Sequence, residues 1–83
     1  MYYLLSCRSL TYAQRAVKAL VSSGITAFVS KLPQSVSLEG CGYCTKVPER
    51  YLLDALPVLK DYNLYPIKVY ALHEDGSCLE VDV

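Results

Sequence analysis

The sequence has 83 residues, with eight basic and eight acidic side chains, so its formal net charge is zero. A chain of this length forms one domain, here residues 1–83. The balanced charge argues against nucleic acid or an anionic membrane surface as a partner, because both are bound through a strong positive field. More than half of the residues are apolar, which predicts a folded domain rather than a disordered chain.

The cysteines are interpreted through the compartment that the sequence indicates. The first residues, MYYLLSCRSL, lack the basic and apolar segments of a signal peptide, and no apolar run approaches the length of a membrane span. We therefore expect a cytoplasmic protein without a membrane partner. In that compartment thiols stay reduced, and paired cysteines more often bind metal or do chemistry than form structural disulfides.

The first part of the chain predicts a strand, a helix and a second strand. Tyr2 to Ser6 is a short aromatic and aliphatic run typical of a buried strand. Thr11 and Gln14 are spaced as a capping box, and Gly24 is placed to end the helix. Ile25 to Ser30 is rich in β-branched and aromatic residues and predicts the second strand. Between the cap and Gly24, apolar residues recur at helical spacing: Ala13, Ala16, Val17, Leu20 and Val21.

The middle of the chain predicts a loop, a third strand and a second helix. Residues 33–42 hold Pro, Ser and Gly without periodicity, which indicates a loop, and Tyr43 to Val47 predicts a strand. Pro48 suits the first helical position, Pro57 should kink or shorten the helix, and Asn63 should end it in a left-handed conformation. The apolar stripe of this helix is predicted to be Leu52, Leu53, Leu56 and Leu59.

The last part of the chain predicts a hairpin. Ile67 to Leu72 reads as the fourth strand, and Asp75-Gly76 is typical of a two-residue hairpin turn. In the following segment apolar and other residues alternate, which predicts a final edge strand: Leu79, Val81 and Val83 on one face, with Cys78, Glu80 and Asp82 on the other.

The order β-α-β-β-α-β with an extra C-terminal edge strand predicts an α+β ferredoxin-like sandwich. In that topology the strand order is 4-1-3-2 with antiparallel neighbours. The end of the first strand then lies beside the beginning of the third. We therefore expect Cys7, Cys41 and Cys44 to converge at one end of the sheet, and Cys78 to lie at the other.

The segment EGCGYC, Glu39 to Cys44, contains the one C-x-x-C of the chain. Zinc requires four ligands, whereas the chain has no second C-x-x-C pair and only one histidine, far from this segment. A zinc site within one subunit is therefore disfavoured, and a site formed by two subunits remains an alternative. Thioredoxin chemistry places the pair at the start of a helix, whereas this pair precedes a strand. Packing alone would account for the two cysteines, but Gly40 and Gly42 leave the sulfur of Cys41 sterically accessible and favour a reactive thiol.

The chain contains the segment YLLSCRSLTYAQRAVKAL, then Gly-Ile, and later the segments LPQSVS and GCGYC. Together these segments resemble the selenium/sulfur carrier protein-like family of small, single-domain bacterial proteins, and the resemblance runs to about Tyr70. Its most telling part is the spacing from Pro33 through Ser37 to Cys41 and Gly42. The family usually has a basic residue after the proline, and Gln34 stands there in this sequence, which removes a charge that could hold an anion.

The resemblance implies a carrier rather than an enzyme, with no cofactor. It makes Cys41 the carrier thiol, Cys44 at most a resolving thiol and Cys7 a nearby thiol, with Arg8 among the cations close in sequence. The partners would be proteins that donate and accept sulfur or selenium. The alternative is a regulatory or assembly module without catalysis, in which a homodimer could hold the intersubunit metal site.

Overall fold

The structure, a computed structural model, describes residues 1–33, 42–66 and 68–82, and is built on one antiparallel sheet with two helices packed on one face. A 3-10 turn, Glu49–Tyr51, precedes the second helix. The strands are β1 Tyr2–Ser6, β2 Phe28–Lys31, β3 Tyr43–Pro48, β4 Val69–Leu72 and β5 Cys78–Val81, and the helices are α1 Leu10–Ser22 and α2 Leu52–Asp61.

The sheet has five strands in the order β2-β3-β1-β4-β5, and every neighbouring pair is antiparallel. Read from the other edge, the first four strands have the order 4-1-3-2, and β5 is added beside β4. Tyr2 lies opposite Pro48 and Ser6 lies opposite Cys44, so the end of β1 is beside the beginning of β3. The predicted α+β class is confirmed, and β1 has the predicted bounds.

Helix α1 begins at a different residue from the one predicted. Ser9 has an extended backbone, with φ of −159°, and its Oγ accepts a hydrogen bond of 3.3 Å from the amide of Tyr12. Leu10 is the first helical residue, which places Thr11 inside the first turn. The prediction that Thr11 caps the helix was wrong, because Ser9 is an equally suitable capping residue and lies two positions earlier.

Both helices end as predicted, in a residue with a left-handed backbone. Gly24 follows α1 with φ of +81°, and the amide of Ile25 donates to the carbonyl of Leu20 at 2.9 Å. Asn63 follows α2 with φ of 59°. At such a helix end, amides that follow the helix donate to carbonyls of its last turn, which would otherwise lack hydrogen-bond partners.

The start of α2 differs from the prediction. Pro48 is the last residue of β3 rather than the first of a helix, and Pro57 lies inside α2. Leu53 is 80% exposed, so its prediction as a core residue was wrong, whereas the unpredicted Ala55 is fully buried. Leu53 lies about 100° around the helix from Leu52, on the side away from Ala55 and Leu59, so it falls outside the buried arc. The buried face consists of Leu52, Ala55, Leu56 and Leu59.

Strand β2 is shorter than predicted, since it begins at Phe28 instead of Ile25. Ile25 and Ala27 are nevertheless buried, so the segment contributes to the core before it joins the sheet. The predicted fourth strand began at Ile67, which lies outside the described residues, as does Val83 at the end of the chain.

The β4–β5 hairpin has a three-residue loop, residues 74–76, rather than the predicted two-residue turn. The amide of His73 donates to the carbonyl of Ser77 at 2.9 Å, which closes the loop one residue earlier than expected. Gly76 has φ of +89°, as the last position of such a loop requires.

The two faces of the sheet carry separate buried clusters, because successive side chains of a strand point to opposite sides. The helix-side cluster lies between sheet and helices: Leu5, Ala16, Leu20, Ile25, Ala27, Val47, Leu52, Ala55, Leu56, Leu59 and Val69. The far-side cluster lies on the opposite face: Leu4, Leu32, Cys44 and Tyr70, with Leu72 and Cys78 packed against them.

Candidate functional site

The predicted site divides between described and undescribed residues. Cys41, the predicted carrier thiol, lies outside the described residues, together with Gln34, Ser37 and Gly40. The structure describes Pro33, Gly42, Cys44 and Cys7. The geometry of the site is therefore built from the strands on either side of the 34–41 segment.

Gly42 fixes the point at which the chain enters β3. The amide of Leu32 donates to the carbonyl of Gly42 at 2.6 Å, which extends the pairing of Lys31 with Tyr43 by one residue. Gly42 has φ of +76°, a conformation that glycine adopts without strain and other residues rarely do. The residue that follows Cys41 thus holds a position that favours glycine.

The backbones of Cys7 and Cys44 meet at one end of the sheet, as the strand order predicts. Ser6 lies directly opposite Cys44, and the amide of Cys7 donates to the carbonyl of Tyr43 at 3.3 Å. Paired residues in antiparallel strands have Cα atoms about 5 Å apart, so Cys7, the residue after Ser6, lies close to Cys44 in space.

The side chain of Cys7 is on the helix side, within a polar network. Its Sγ donates to the carbonyl of Leu5 at 3.4 Å and lies 3.7 Å from Oγ1 of Thr45. The hydroxyl of Thr45, which is fully buried, donates to the carbonyl of Ala13 at 3.5 Å. Thr45 therefore connects β3 to α1 and holds a hydroxyl beside the Cys7 thiol.

The side chain of Cys44 is on the opposite face, fully buried in the far-side cluster. Burial, with electrostatic contributions from Cys7 and Cys78, raises the pKa of Cys44 to about 12, while Lys46 and a hydrogen bond with Ser30 act in the other direction. A thiol with such a pKa stays protonated at neutral pH and is a poor nucleophile. In the folded chain Cys44 therefore lacks the properties of a ready resolving thiol.

Cys78 lies at the other end of the strands, where the sequence places it, but it shares a face with Cys44. It is opposite Leu72, which is in turn opposite Tyr2 at the start of β1. It packs against the far-side cluster, and burial raises the pKa of its thiol. Cys7, Cys44 and Cys78 form no disulfide with one another.

A pocket of about 180 Å³ opens between the start of α1 and the residues that follow α2. Two of its lining residues contact each other, since the guanidinium carbon of Arg8 lies over the Tyr12 ring, 5.9 Å from the ring centre. Sequence reasoning identified Cys7 and Arg8 here and missed residues 63–65, because no local signal indicates that the end of α2 packs beside the start of α1. The lining residues are Cys7, Arg8, Tyr12, Asn63, Leu64 and Tyr65.

Within residues 1–33, 42–66 and 68–82, no group of three or more His, Cys, Asp or Glu side chains is arranged to hold a metal ion. In the same part of the chain, neither helix has the length and apolar character needed to cross a bilayer.

Residues 2–71 match the family model described as "Putative Se/S carrier protein-like". The match runs from β1 to all but the last residue of β4, and it includes the Gly42 entry to β3 and the Cys7 end of β1. No curated protein and no solved structure matches the chain.

Proposed function

The chain belongs to the Se/S carrier protein-like family, and from that premise we propose that it carries sulfur or selenium on the thiol of Cys41. The observation that carries this proposal is the family match over residues 2–71, which includes both cysteines of the C-x-x-C. A carrier of this kind exchanges its cargo with donor and acceptor proteins rather than turning over a substrate.

The proposed transfer is a thiol exchange. The Cys41 thiolate attacks the outer sulfur of a donor persulfide, the sulfur–sulfur bond of the donor breaks, and the donor leaves as a thiolate. Cys41 then holds the sulfur as its own persulfide until a nucleophilic acceptor removes it by the same exchange. Selenium would be carried as the corresponding sulfur–selenium adduct.

The described neighbours support this assignment of roles. Gly42, which follows Cys41 in the chain, has a left-handed backbone, a conformation that glycine adopts without strain. Cys7 is the nearby thiol on the helix side, and Cys44 would resolve a stalled adduct only after the far-side cluster opens.

We also propose that the fold is ferredoxin-like, which the order 4-1-3-2 of the first four strands supports. The proposal further includes a cytosolic location, where thiols remain reduced, and a homodimer.

Sulfur loading tests the proposal directly. The reduced protein is incubated with glutathione persulfide, desalted without reductant and measured by intact mass spectrometry. Wild type, Cys7→Ser, Cys44→Ala and Cys78→Ser should each gain the mass of one sulfur atom, and Cys41→Ser should gain none. Cyanide should then remove the added atom as thiocyanate.

The same measurement separates a carrier from a regulatory or assembly module, because such a module would gain no sulfur as wild type or as any of the variants. A gain that persists in Cys41→Ser would reject Cys41 as the carrier thiol, and the variant that loses the gain would identify the working cysteine.

A further inference from the structure

We propose that the pocket between the start of α1 and the end of α2 binds a small sulfur- or selenium-containing anion. The site is argued from the described residues, whereas the sulfur or selenium content of its ligand rests on the proposed carrier function. The pocket would hold the small-molecule source or recipient of the carried atom beside the end of β1.

The size of the pocket limits its ligand to a few heavy atoms. Its volume of about 180 Å³ exceeds the share of one water molecule in the liquid, about 30 Å³. It is below the range of roughly 300–1,000 Å³ that is typical of sites for drug-sized molecules and cofactors. A tetrahedral anion such as thiosulfate fits this interval, and a nucleotide does not.

The lining residues favour a negative charge. Arg8 is the one charged side chain among the six that line the pocket, and no carboxylate is among them. The net charge of the chain is zero, so attraction for an anion here is local rather than a property of the whole protein. Arginine binds oxyanions through a planar fork of N–H donors, which a neutral pocket wall does not provide.

The remaining lining groups suit a small polar ligand. The Tyr12 and Tyr65 side chains carry hydroxyl groups, Asn63 carries an amide, and all three residues line the pocket and are at least partly exposed to solvent. The first turn of α1, a helix of 13 residues, adds a partial positive charge on the same side. Leu64 supplies an apolar wall, since it also packs against the helix-side cluster.

Cys7 gives the pocket its chemical relevance to a carrier. Cys7 lines the pocket, and its amide donates to the carbonyl of Tyr43, two residues after Cys41 in the chain. An anion bound beside Arg8 is therefore held near the point where the chain enters β3. Binding there would hold a small-molecule source or recipient of the carried atom without involving the buried Cys44.

Thiosulfate titration at constant ionic strength, followed by the backbone amide signals in NMR spectra, tests the pocket. We expect saturable shifts for Arg8, Tyr12, Asn63 and Leu64. Arg8→Gln should weaken binding by about tenfold, as expected for the loss of a charged hydrogen-bonding partner. Arg15→Gln is the matched control, because Arg15 is exposed on α1 and does not line the pocket.

The outcomes separate this inference from the proposed function. Equal weakening by Arg8→Gln and Arg15→Gln, or shifts that do not saturate, would reject the pocket as an anion site. Saturable binding lost in Arg8→Gln alone would support the site even if Cys41 gains no sulfur from the persulfide. Normal sulfur loading of Cys41 without thiosulfate binding would reject the pocket and leave the carrier proposal standing. Thermal melting of both variants establishes that each is folded.

Discussion

The two faces of the sheet give chemically similar residues different environments. Leu4 and Leu5 are neighbours in β1 and both are buried, yet Leu5 packs beneath two helices and Leu4 packs with Cys44 and Tyr70. The buried residues of the helix-side cluster are all aliphatic, whereas those of the far-side cluster combine two leucines with a tyrosine and one thiol. Alternation along a strand is sufficient to produce this difference.

The same alternation separates two thiols whose backbones are adjacent. Cys7 is on the helix side beside the Thr45 hydroxyl and a pocket lined by Arg8, while Cys44 is on the far side among apolar groups. A thiol's reactivity depends on such surroundings more than on its distance from another cysteine. Proximity in strand register is therefore a poor guide to which cysteines cooperate.

Thiol labelling should show the largest difference. Cys44 is fully buried and Cys78 is partly exposed, so Cys44 should react with iodoacetamide on the order of a thousandfold more slowly, through opening of the fold. Peptide mapping after timed labelling at neutral pH measures both rates, and we expect Cys41 to react faster than either. Similar rates for Cys44 and Cys78 would show that the far-side cluster is open in solution.

Truncation of the paired leucines compares the two clusters. Leu5→Ala should lower the free energy of unfolding by about 4 kcal/mol and Leu4→Ala by about 2 kcal/mol, because sites that collapse around a cavity lose less. Leu5 is enclosed between the sheet and the helices, whereas Leu4 lies in the far-side cluster, to which neither helix contributes a residue. Urea denaturation measures both losses, and an equal or larger loss for Leu4→Ala would contradict the ranking.

Alkaline pH should weaken the fold through Cys44. Burial raises the pKa of this thiol from 9.0 to about 12 in the folded chain. Below pH 9 the thiol is protonated in both states, and between pH 9 and 12 the unfolded chain alone releases the proton. The free energy of unfolding should therefore fall as pH rises through that interval. Urea denaturation of Cys44→Ala should show a smaller fall than wild type, and an unchanged slope would reject Cys44 as its source.

Helix capping should give the smallest effect. Ser9→Ala should cost about 1 kcal/mol, because it removes the acceptor for the Tyr12 amide at the start of α1. Thr11→Ala is the control and should change stability by less than about 0.5 kcal/mol, since Thr11 lies inside the helix and is exposed. A larger loss for Thr11→Ala would mean that α1 begins two residues later in solution.

Local sequence signals correctly predicted the features of the fold that a few adjacent residues determine. β1 has the predicted bounds, and Gly24 and Asn63 end the helices as expected, because a left-handed backbone restricts the choice of residue. The start of α1 was misplaced because Ser9 and Thr11 are both good caps. The sequence contains no local signal that decides between them.

The parts of the site that depend on strand order were predictable from the sequence, whereas the parts that depend on side-chain direction were not. The order β3-β1-β4 predicted that Cys7 and Cys44 meet at one end. Counting alternate residues from Leu5 and Thr45 would have placed their sulfurs on opposite faces, but only with the pairing register known. The pocket of Arg8 and Tyr65 depends on packing between distant helix ends, which periodicity does not reveal.

The register of β1 and β3 has a consequence for insertions and deletions. Ser6 opposes Cys44, and Leu5 opposes Thr45. Removing one residue between Gly42 and Cys44 would move every following β3 side chain to the other face. The thiol would then point at the helices, and the Thr45 hydroxyl would enter an apolar cluster without its Ala13 partner. The length of this short segment is therefore under tighter constraint than the identity of Tyr43, and spacing is the feature by which working relatives should be recognised.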